Sequence, residues 1–184
     1  MSFHVIRAAD VSPQPWKNGM GVTREIARFP ARAGSEDFSW RISVAEVNSA
    51  SPFSTFPGID RQIVLLDGEG FHMTLDGSST HALTTPYAPF AFPGEAQVEV
   101  AMAGGATRDF NLMVRRAWGS GSVRVLRESG SHVPDPECVL VYVARGTVTT
   151  IDGDLEAGDA WLPDCSPFEM AEGSVVLLAL AAAG

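Results

Sequence analysis

Four short segments of the chain combine charged or amide side chains with aromatic ones. They are residues 16–21, 40–43, 52–61 and 109–111. The first contains Lys17, which is the only lysine of the chain, next to a tryptophan. A guanidinium binds a carboxylate through two parallel hydrogen bonds, and aromatic walls strengthen such a contact by excluding water. These segments therefore predict a cavity that binds a small carboxylate.

Each segment also has an ordinary structural interpretation, which stays open. A Trp–Lys pair is often a contact on the protein surface, and Asp60 beside Arg61 could brace a loop through an ion pair. Asp109 and Asn111 are common turn-forming residues. Because all four segments lie in the same part of the chain, we favour a shared site.

The elements that must position these side chains are predicted to be short β-strands. Helical periodicity is nearly absent, whereas residues 38–44 alternate Phe, Trp, Ile and Val with Ser, Arg and Ser. Further strands are predicted at residues 22–29, 61–66, 71–75, 97–102, 110–114, 122–126, 139–143, 147–151 and 175–180. Many short strands separated by Gly, Pro, Asp and Ser favour an all-β sandwich or barrel.

A weak internal repeat extends this prediction. Residues 64–77 and 140–153 share a strand, a glycine, a second strand and an Asp-Gly turn. The order of strands, Gly-Asp and Pro that follows is typical of a cupin β-barrel. Two cupin-like halves, residues 1–116 and 117–184, would form a bicupin, while chance similarity between two β-meanders is the alternative.

Histidine spacing argues against the metal centre that most cupins contain. Such a centre needs two histidines at alternate strand positions, but the four histidines of this chain include no His-x-His pair. His72 has Gly70 and Thr74 as its alternate neighbours. The chain also lacks a Gly-x-Ser-x-Gly nucleophile motif, and neither Cys138 nor Cys165 has an adjacent histidine. We expect no metal, no cofactor and no activated nucleophile.

Composition and charge argue against nucleic acids and membranes as partners of this protein. The chain has 184 residues and a net charge of −9, and residues 128–184 hold ten acidic side chains but only one basic one, Arg145. Because the basic residues are scattered, no nucleic-acid partner is expected. The longest apolar run, residues 175–183, is too short for a membrane-spanning helix, and no secretory signal is visible, so no membrane partner is expected. Two cysteines without a pairing pattern indicate a reducing, cytoplasmic compartment.

The same four segments resemble the motifs of the HutD/Ves family of bacterial bicupins. The matching motifs are Trp-Lys-Asn-Gly-x-Gly at 16–21 with a following Thr and Glu, Trp-Arg-x-Ser-x-Ala at 40–45, Phe-Ser-x-Phe-x-Gly-x-x-Arg at 53–61 and Arg-Asp-Phe-Asn-Leu at 108–112. One departure is Met20, which stands where the family favours glycine. The resemblance is dense over residues 1–116 and thin over residues 117–184.

This resemblance implies a cupin fold without metal ligands and a link to histidine utilisation or, for Ves members, to stress responses. It also implies a ligand pocket built from polar residues and aromatic walls. The implied polar residues are Lys17, Asn18, Thr23, Glu25, Arg41, Ser43, Ser54, Arg61, Asp109 and Asn111. The implied aromatic residues are Trp16, Trp40, Phe53, Phe56 and Phe110.

We therefore predict a metal-independent protein that binds a small carboxylate metabolite and has an auxiliary or regulatory role in histidine utilisation. Two alternatives stay open. One is a metal-free isomerase or hydrolase that uses Glu25 or Asp109 as a general base, which we rank lower because no Ser-His or paired-carboxylate arrangement is visible. The other is a stress-linked structural or interaction protein that associates through sheet edges, and formation of a homodimer would not exclude carboxylate binding.

Overall fold

A computed structural model describes residues 4–31 and 37–184, and almost all of its regular elements are β-strands. The strands in chain order are β1 Val5–Ile6, β2 Gln14–Pro15, β3 Gly21–Phe29, β4 Trp40–Val47, β5 Ile59–Asp67, β6 Phe71–Leu75, β7 Ser79–Leu83, β8 Phe90–Pro93, β9 Val98–Met102, β10 Thr107–Arg115, β11 Gly119–Leu126, β12 Gly130–His132, β13 Cys138–Arg145, β14 Thr147–Thr150, β15 Gly153–Glu156, β16 Ala160–Trp161, β17 Phe168–Met170 and β18 Val175–Ala183. A 3₁₀ turn at Ala8–Asp10 is the only helical element in this described part of the chain. The prediction of an all-β fold is confirmed.

The chain forms two compact units. The N-terminal unit comprises residues 12–120 with 183–184, and the C-terminal unit comprises residues 121–182 with the described residues before Ser12. Residues 4–11 thus belong to the unit that the last third of the chain builds, because β1 pairs with β16.

The N-terminal unit contains two antiparallel sheets. The larger has the order β2-β3-β4-β10-β5-β8, and the smaller has the order β7-β6-β9. Its interior contains apolar side chains from both sheets, among them Ile63 and Leu65 of β5 and Phe71 and Met73 of β6, all fully buried. These residues alternate along their strands, so a single face of each strand supplies the core.

The C-terminal unit repeats part of this strand order. Its larger sheet runs β1-β16-β13-β18-β11 and its smaller sheet β12-β17-β14-β15. The series β4-β10-β5-β8 of the first unit therefore corresponds to β11-β18-β13-β16 of the second, and β7-β6-β9 corresponds to β15-β14-β17. The similar segments 64–77 and 140–153 begin on the equivalent strands β5 and β13, which is consistent with an internal duplication.

Across residues 4–31 and 37–184, no helix is long and apolar enough to cross a membrane.

Candidate functional site

A cavity of about 510 Å³ lies in the N-terminal unit, on the face of the large sheet that also supplies the core. Its lining includes polar side chains from three strands, namely Arg41 and Ser43 of β4, Asp109 and Asn111 of β10, and Arg61 of β5. Neighbouring strands place them side by side, since Asn111 is the register partner of Ser43. Because alternate residues of a strand face the same side, the odd-numbered positions of β4 and β10 share this cavity.

Arg61 is the buried centre of the site. Its side chain is only 6% exposed, and its Nη2 donates a hydrogen bond to Asn111 Oδ1 at 3.2 Å. The guanidinium carbon lies 5.5, 5.4 and 4.8 Å from the ring centroids of Phe53, Phe56 and Phe92. Burial lowers the pKa of Arg61 to about 10, against the opposing charge of Asp109. The side chain is therefore a cation at neutral pH, held among aromatic faces that attract positive charge.

No carboxylate of the described residues lies within ion-pair distance of this guanidinium. The Nε atom of Arg61 is buried and has no hydrogen-bond partner there either. A buried cation is ordinarily paired, because leaving water costs it several kcal/mol. Arg61 is thus a buried cation that forms no direct ion pair within the described part of the protein, although the charge of Asp109 acts on it from farther away.

Asp109 is the acidic residue of the cavity. It is 1% exposed, and its Oδ2 accepts a hydrogen bond from Asn111 Nδ2 at 2.5 Å. Its Oδ1 is buried without a hydrogen-bond partner among the described residues. Burial raises the pKa of Asp109 from 3.8 to about 7, although the Asn111 hydrogen bond and the Arg61 charge oppose the rise. The carboxyl group therefore changes its charge near neutral pH.

Glu25 holds the second arginine of the site in place. Arg41 Nε donates to Glu25 Oε2 at 2.7 Å, and Arg28 donates to both carboxylate oxygens at 2.6 and 2.8 Å. Burial alone would raise the pKa of Glu25, but the hydrogen bond from Arg28 and the charge of Arg41 outweigh it and keep the pKa below 4.5. Glu25 is therefore a charged positioning residue for Arg41.

The turn at residues 16–21 forms one wall of the cavity. Trp16 Nε1 donates to Thr23 Oγ1 at 2.8 Å, and Asn18 Nδ2 donates to Ser51 Oγ at 2.8 Å. These two bonds fasten the turn to β3 and to the loop before residue 52. Lys17 lines the cavity but is exposed, and it forms no hydrogen bond or ion pair with the residues that the structure describes. Its ammonium group is free to contact a ligand.

The sequence model of the HutD family matches residues 8–178 of the chain. The chain belongs to the HutD family. It is 35% identical over 174 residues to an uncharacterized 21.2 kDa protein in the hutC 3′ region of Pseudomonas putida, covering 91% of this chain and 87% of that protein. It is 39% identical over 148 residues to protein Ves of Citrobacter koseri, covering 80% of this chain and 72% of that protein.

Among solved structures, HutD from Pseudomonas fluorescens SBW25 superposes with a TM-score of 0.82 at 30% identity. The superposition covers 97% of this chain and 98% of that one. The resemblance to the HutD/Ves family is therefore confirmed, as is the cupin-like fold.

Twelve of the fifteen residues predicted for a pocket line the cavity. They are Trp16, Lys17, Asn18, Thr23, Arg41, Ser43, Phe53, Ser54, Phe56, Arg61, Asp109 and Asn111. The HutD motifs, which lie far apart in sequence, thus contribute side chains to a single cavity.

Three predicted residues do not line it, and the structure corrects their roles. Trp40 and Phe110 occupy even-numbered positions of β4 and β10, so they face the opposite side of the sheet. Phe110 is fully buried there, and Trp40 stacks on Phe29 with ring centroids 6.3 Å apart. Glu25 is not a lining residue, and its carboxylate accepts hydrogen bonds from Arg28 and from the lining residue Arg41. Met20, at the position where the family favours glycine, does not line the cavity either.

Several contributors were missed by the sequence analysis. Phe92 completes the aromatic surround of Arg61 because β8 pairs with β5, which makes Phe92 the register partner of Arg61. No local signal indicates that pairing. Ala45 and Met113 continue the alternation from Ser43 and Asn111, so strand periodicity could have found them. The other missed lining residues are Gln14, Pro15 and Pro52.

The interior of the C-terminal unit is apolar. Its core cluster includes Val141, Val143, Trp161, Val176 and Leu178, all at most 3% exposed. Within the described residues, no group of three or more His, Cys, Asp or Glu side chains is arranged to hold a metal ion. The core cluster of the C-terminal unit thus contains no counterpart of Arg61 or Asp109.

Proposed function

We propose that this protein binds a small carboxylate in the cavity of its N-terminal unit. The observation that supports this most directly is Arg61, a buried cation that faces a cavity and has no ion-pair partner among the described residues. A bound carboxylate would supply that partner. Hydrogen bonds between charged groups contribute about 1.5–3 kcal/mol each, which suffices for measurable affinity.

The charges around the cavity favour an anion over a neutral ligand. Three cationic side chains, Lys17, Arg41 and Arg61, line it, against one acidic side chain, Asp109. The pKa of Asp109 is about 7, so this carboxyl group carries its negative charge only part of the time at neutral pH. The aromatic rings around Arg61 exclude water and lower the local dielectric, which strengthens the attraction of its guanidinium for a carboxylate.

We further propose that the carboxylate is a metabolite of histidine breakdown and that the protein is an auxiliary or regulatory component of histidine utilisation. The relative in the hutC 3′ region of P. putida and the HutD structure from P. fluorescens support this assignment. That HutD structure is from a formate condition, and formate is the smallest carboxylate.

Binding can be tested by titrating the ¹⁵N-labelled protein with sodium formate and with sodium glutamate at pH 6 while following backbone amide shifts. We expect shifts confined to the residues that line the cavity. Arg61→Met keeps an apolar stem against the aromatic rings but removes the guanidinium, so it should weaken binding about 10- to 150-fold.

The matched control is Arg108→Met. Arg108 is an arginine of β10 whose side chain is 42% exposed and lies outside the cavity lining, so its loss should leave the dissociation constant unchanged. Equal affinity of the wild type and Arg61→Met would refute the proposed site. Absence of saturable binding by either salt would refute the carboxylate function.

A catalytic function is the second candidate, and the structure favours one of its two possible bases. Glu25 is held as a charged group by two arginines, so it is a poor proton acceptor. Asp109, with a pKa of about 7, has the property that general acid–base catalysis needs at neutral pH. If a bound metabolite is turned over, Asp109→Asn should abolish turnover and Glu25→Gln should retain it.

A further inference from the structure

We propose that Asp109 takes up a proton when a carboxylate binds beside Arg61, so that the cavity takes an acid as an anion together with a proton. This inference rests on the proposed carboxylate binding and adds a second ligand, the proton, with its own site.

The geometry couples Asp109 to the anion position through one side chain. Asn111 accepts a hydrogen bond from Arg61 Nη2 through its Oδ1 and donates one to Asp109 Oδ2 through its Nδ2. Only the side-chain amide of Asn111 would therefore separate the Arg61 guanidinium, and an anion paired with it, from the carboxyl group of Asp109. Both sites are almost completely buried, so the repulsion between two negative charges there is weakly screened.

The charged groups that line the cavity with Asp109 come from three elements and differ in burial and pairing. From β5, Arg61 supplies one positive charge. From β4, Arg41 is already paired with Glu25, which lies on β3. From the turn at residues 16–21, Lys17 contributes a charge at an exposed position. Of the three cations that line the cavity, Arg61 alone is both buried and without an ion pair among the described residues, so a proton on Asp109 lowers the negative charge that this one buried cation must offset.

Asp109 is also the group of the cavity lining suited to this role. Its Oδ1 has no hydrogen-bond partner among the described residues, so a proton on the carboxyl group displaces no existing bond. Burial already raises its pKa to about 7 without any ligand. None of the four histidines, all of them in the described part of the chain, lines the cavity.

Thermodynamic linkage gives the expected size of the effect. An anion that raises the pKa of Asp109 must bind more weakly as this group loses its proton. For a carboxyl group with a pKa of about 7 in the free protein, the dissociation constant should rise about tenfold between pH 6 and pH 8. Formate is a suitable probe because it is ionised throughout this range, so the change reports on the protein.

The experiment is the formate titration of the ¹⁵N-labelled protein repeated at pH 6, 7 and 8 at constant ionic strength. The wild type should show the tenfold weakening. Asp109→Asn cannot ionise and keeps an oxygen to accept the Asn111 hydrogen bond, so its affinity should stay constant within about twofold across the same range. Asp67→Asn, a change at an exposed aspartate of β5, should follow the wild type.

A measurement on the unmodified protein makes the test independent of the variant. The ¹³C carboxyl resonance of Asp109 should titrate near pH 7 without formate and at a higher pH in saturating formate. An unchanged midpoint would overturn the inference. Binding that needs Arg61 but is equally tight at pH 6 and pH 8 would overturn it while leaving the proposed function intact, and no binding at any pH would overturn both.

Discussion

Replacement of Asp109 by asparagine should stabilise the ligand-free protein, and increasingly so as the pH rises. The carboxyl group of Asp109 is buried, and its Oδ1 has no hydrogen-bond partner among the described residues. The pKa of this carboxyl group is raised above its ordinary value of 3.8, so the folded state binds the proton more tightly than the unfolded state does. The stabilising contribution of that proton is complete below pH 3.8 and is lost as the pH rises to about 7.

The magnitude follows from the size of the shift. A native pKa of about 7 against 3.8 in the unfolded chain is about three units, and at 1.36 kcal/mol per unit the ionisation of Asp109 costs about 4 kcal/mol of stability. Between pH 5 and pH 8 the change amounts to about 2–3 kcal/mol. The amide group introduced by Asp109→Asn does not ionise, and its oxygen accepts the hydrogen bond that Asn111 Nδ2 donates to the carboxyl group of the wild type.

The assay is urea unfolding at pH 5, 6, 7 and 8, followed by tryptophan fluorescence, for the wild type, Asp109→Asn and the control Asp67→Asn. Other titrating groups contribute equally to all three proteins, so the difference between the free energies of unfolding isolates Asp109. That difference should grow by about 2–3 kcal/mol in favour of Asp109→Asn from pH 5 to pH 8 and stay constant for the control. A constant difference for Asp109→Asn would refute the inferred pKa.

Three further predictions concern stability. Phe110→Ala should lower the free energy of unfolding by about 3–5 kcal/mol, because Phe110 is fully buried; a small loss in urea unfolding would contradict its place in the structure. Glu25→Gln should cost on the order of 1 kcal/mol at pH 7 through the lost ion pairs with arginines such as Arg41. Since the pKa of Glu25 is lowered, this cost should vanish as the pH falls below 4.5, and a cost that persists in acid would argue against the ion pairs. Gly146→Ala should lower the melting temperature, because Gly146 has φ +79° and an added Cβ would collide with the side-chain oxygen of Ser174. Gly105→Ala, where nothing lies within 4 Å, is the control, and equal effects of the two changes would show that the contact at Gly146 is not restrictive.

The alternation of residue types was sufficient to predict which side chains share a face. Arg41 and Ser43 lie two positions apart on β4, and Asp109 and Asn111 lie two positions apart on β10, so each pair had to point to the same side. The same alternation predicts that Trp40, one position before Arg41, faces the opposite side of the sheet from the cavity. Trp40 was predicted as a pocket residue only because it belongs to the family motif, and its position on the strand contradicts that prediction.

The sequence by itself was sufficient to predict the all-β class, and the family motifs indicated most of the residues that line the cavity, because both depend on short stretches of chain. Only the tertiary structure decided what the residues do together. β10 lies between β4 and β5, and β8 brings Phe92 onto Arg61, through pairings between segments that are distant along the chain. The charge of Asp109 likewise depends on burial, which arises only when β4, β5 and the segments at residues 14–18 and 52–56 come together around the cavity and remove the water that would otherwise stabilise its ionised form.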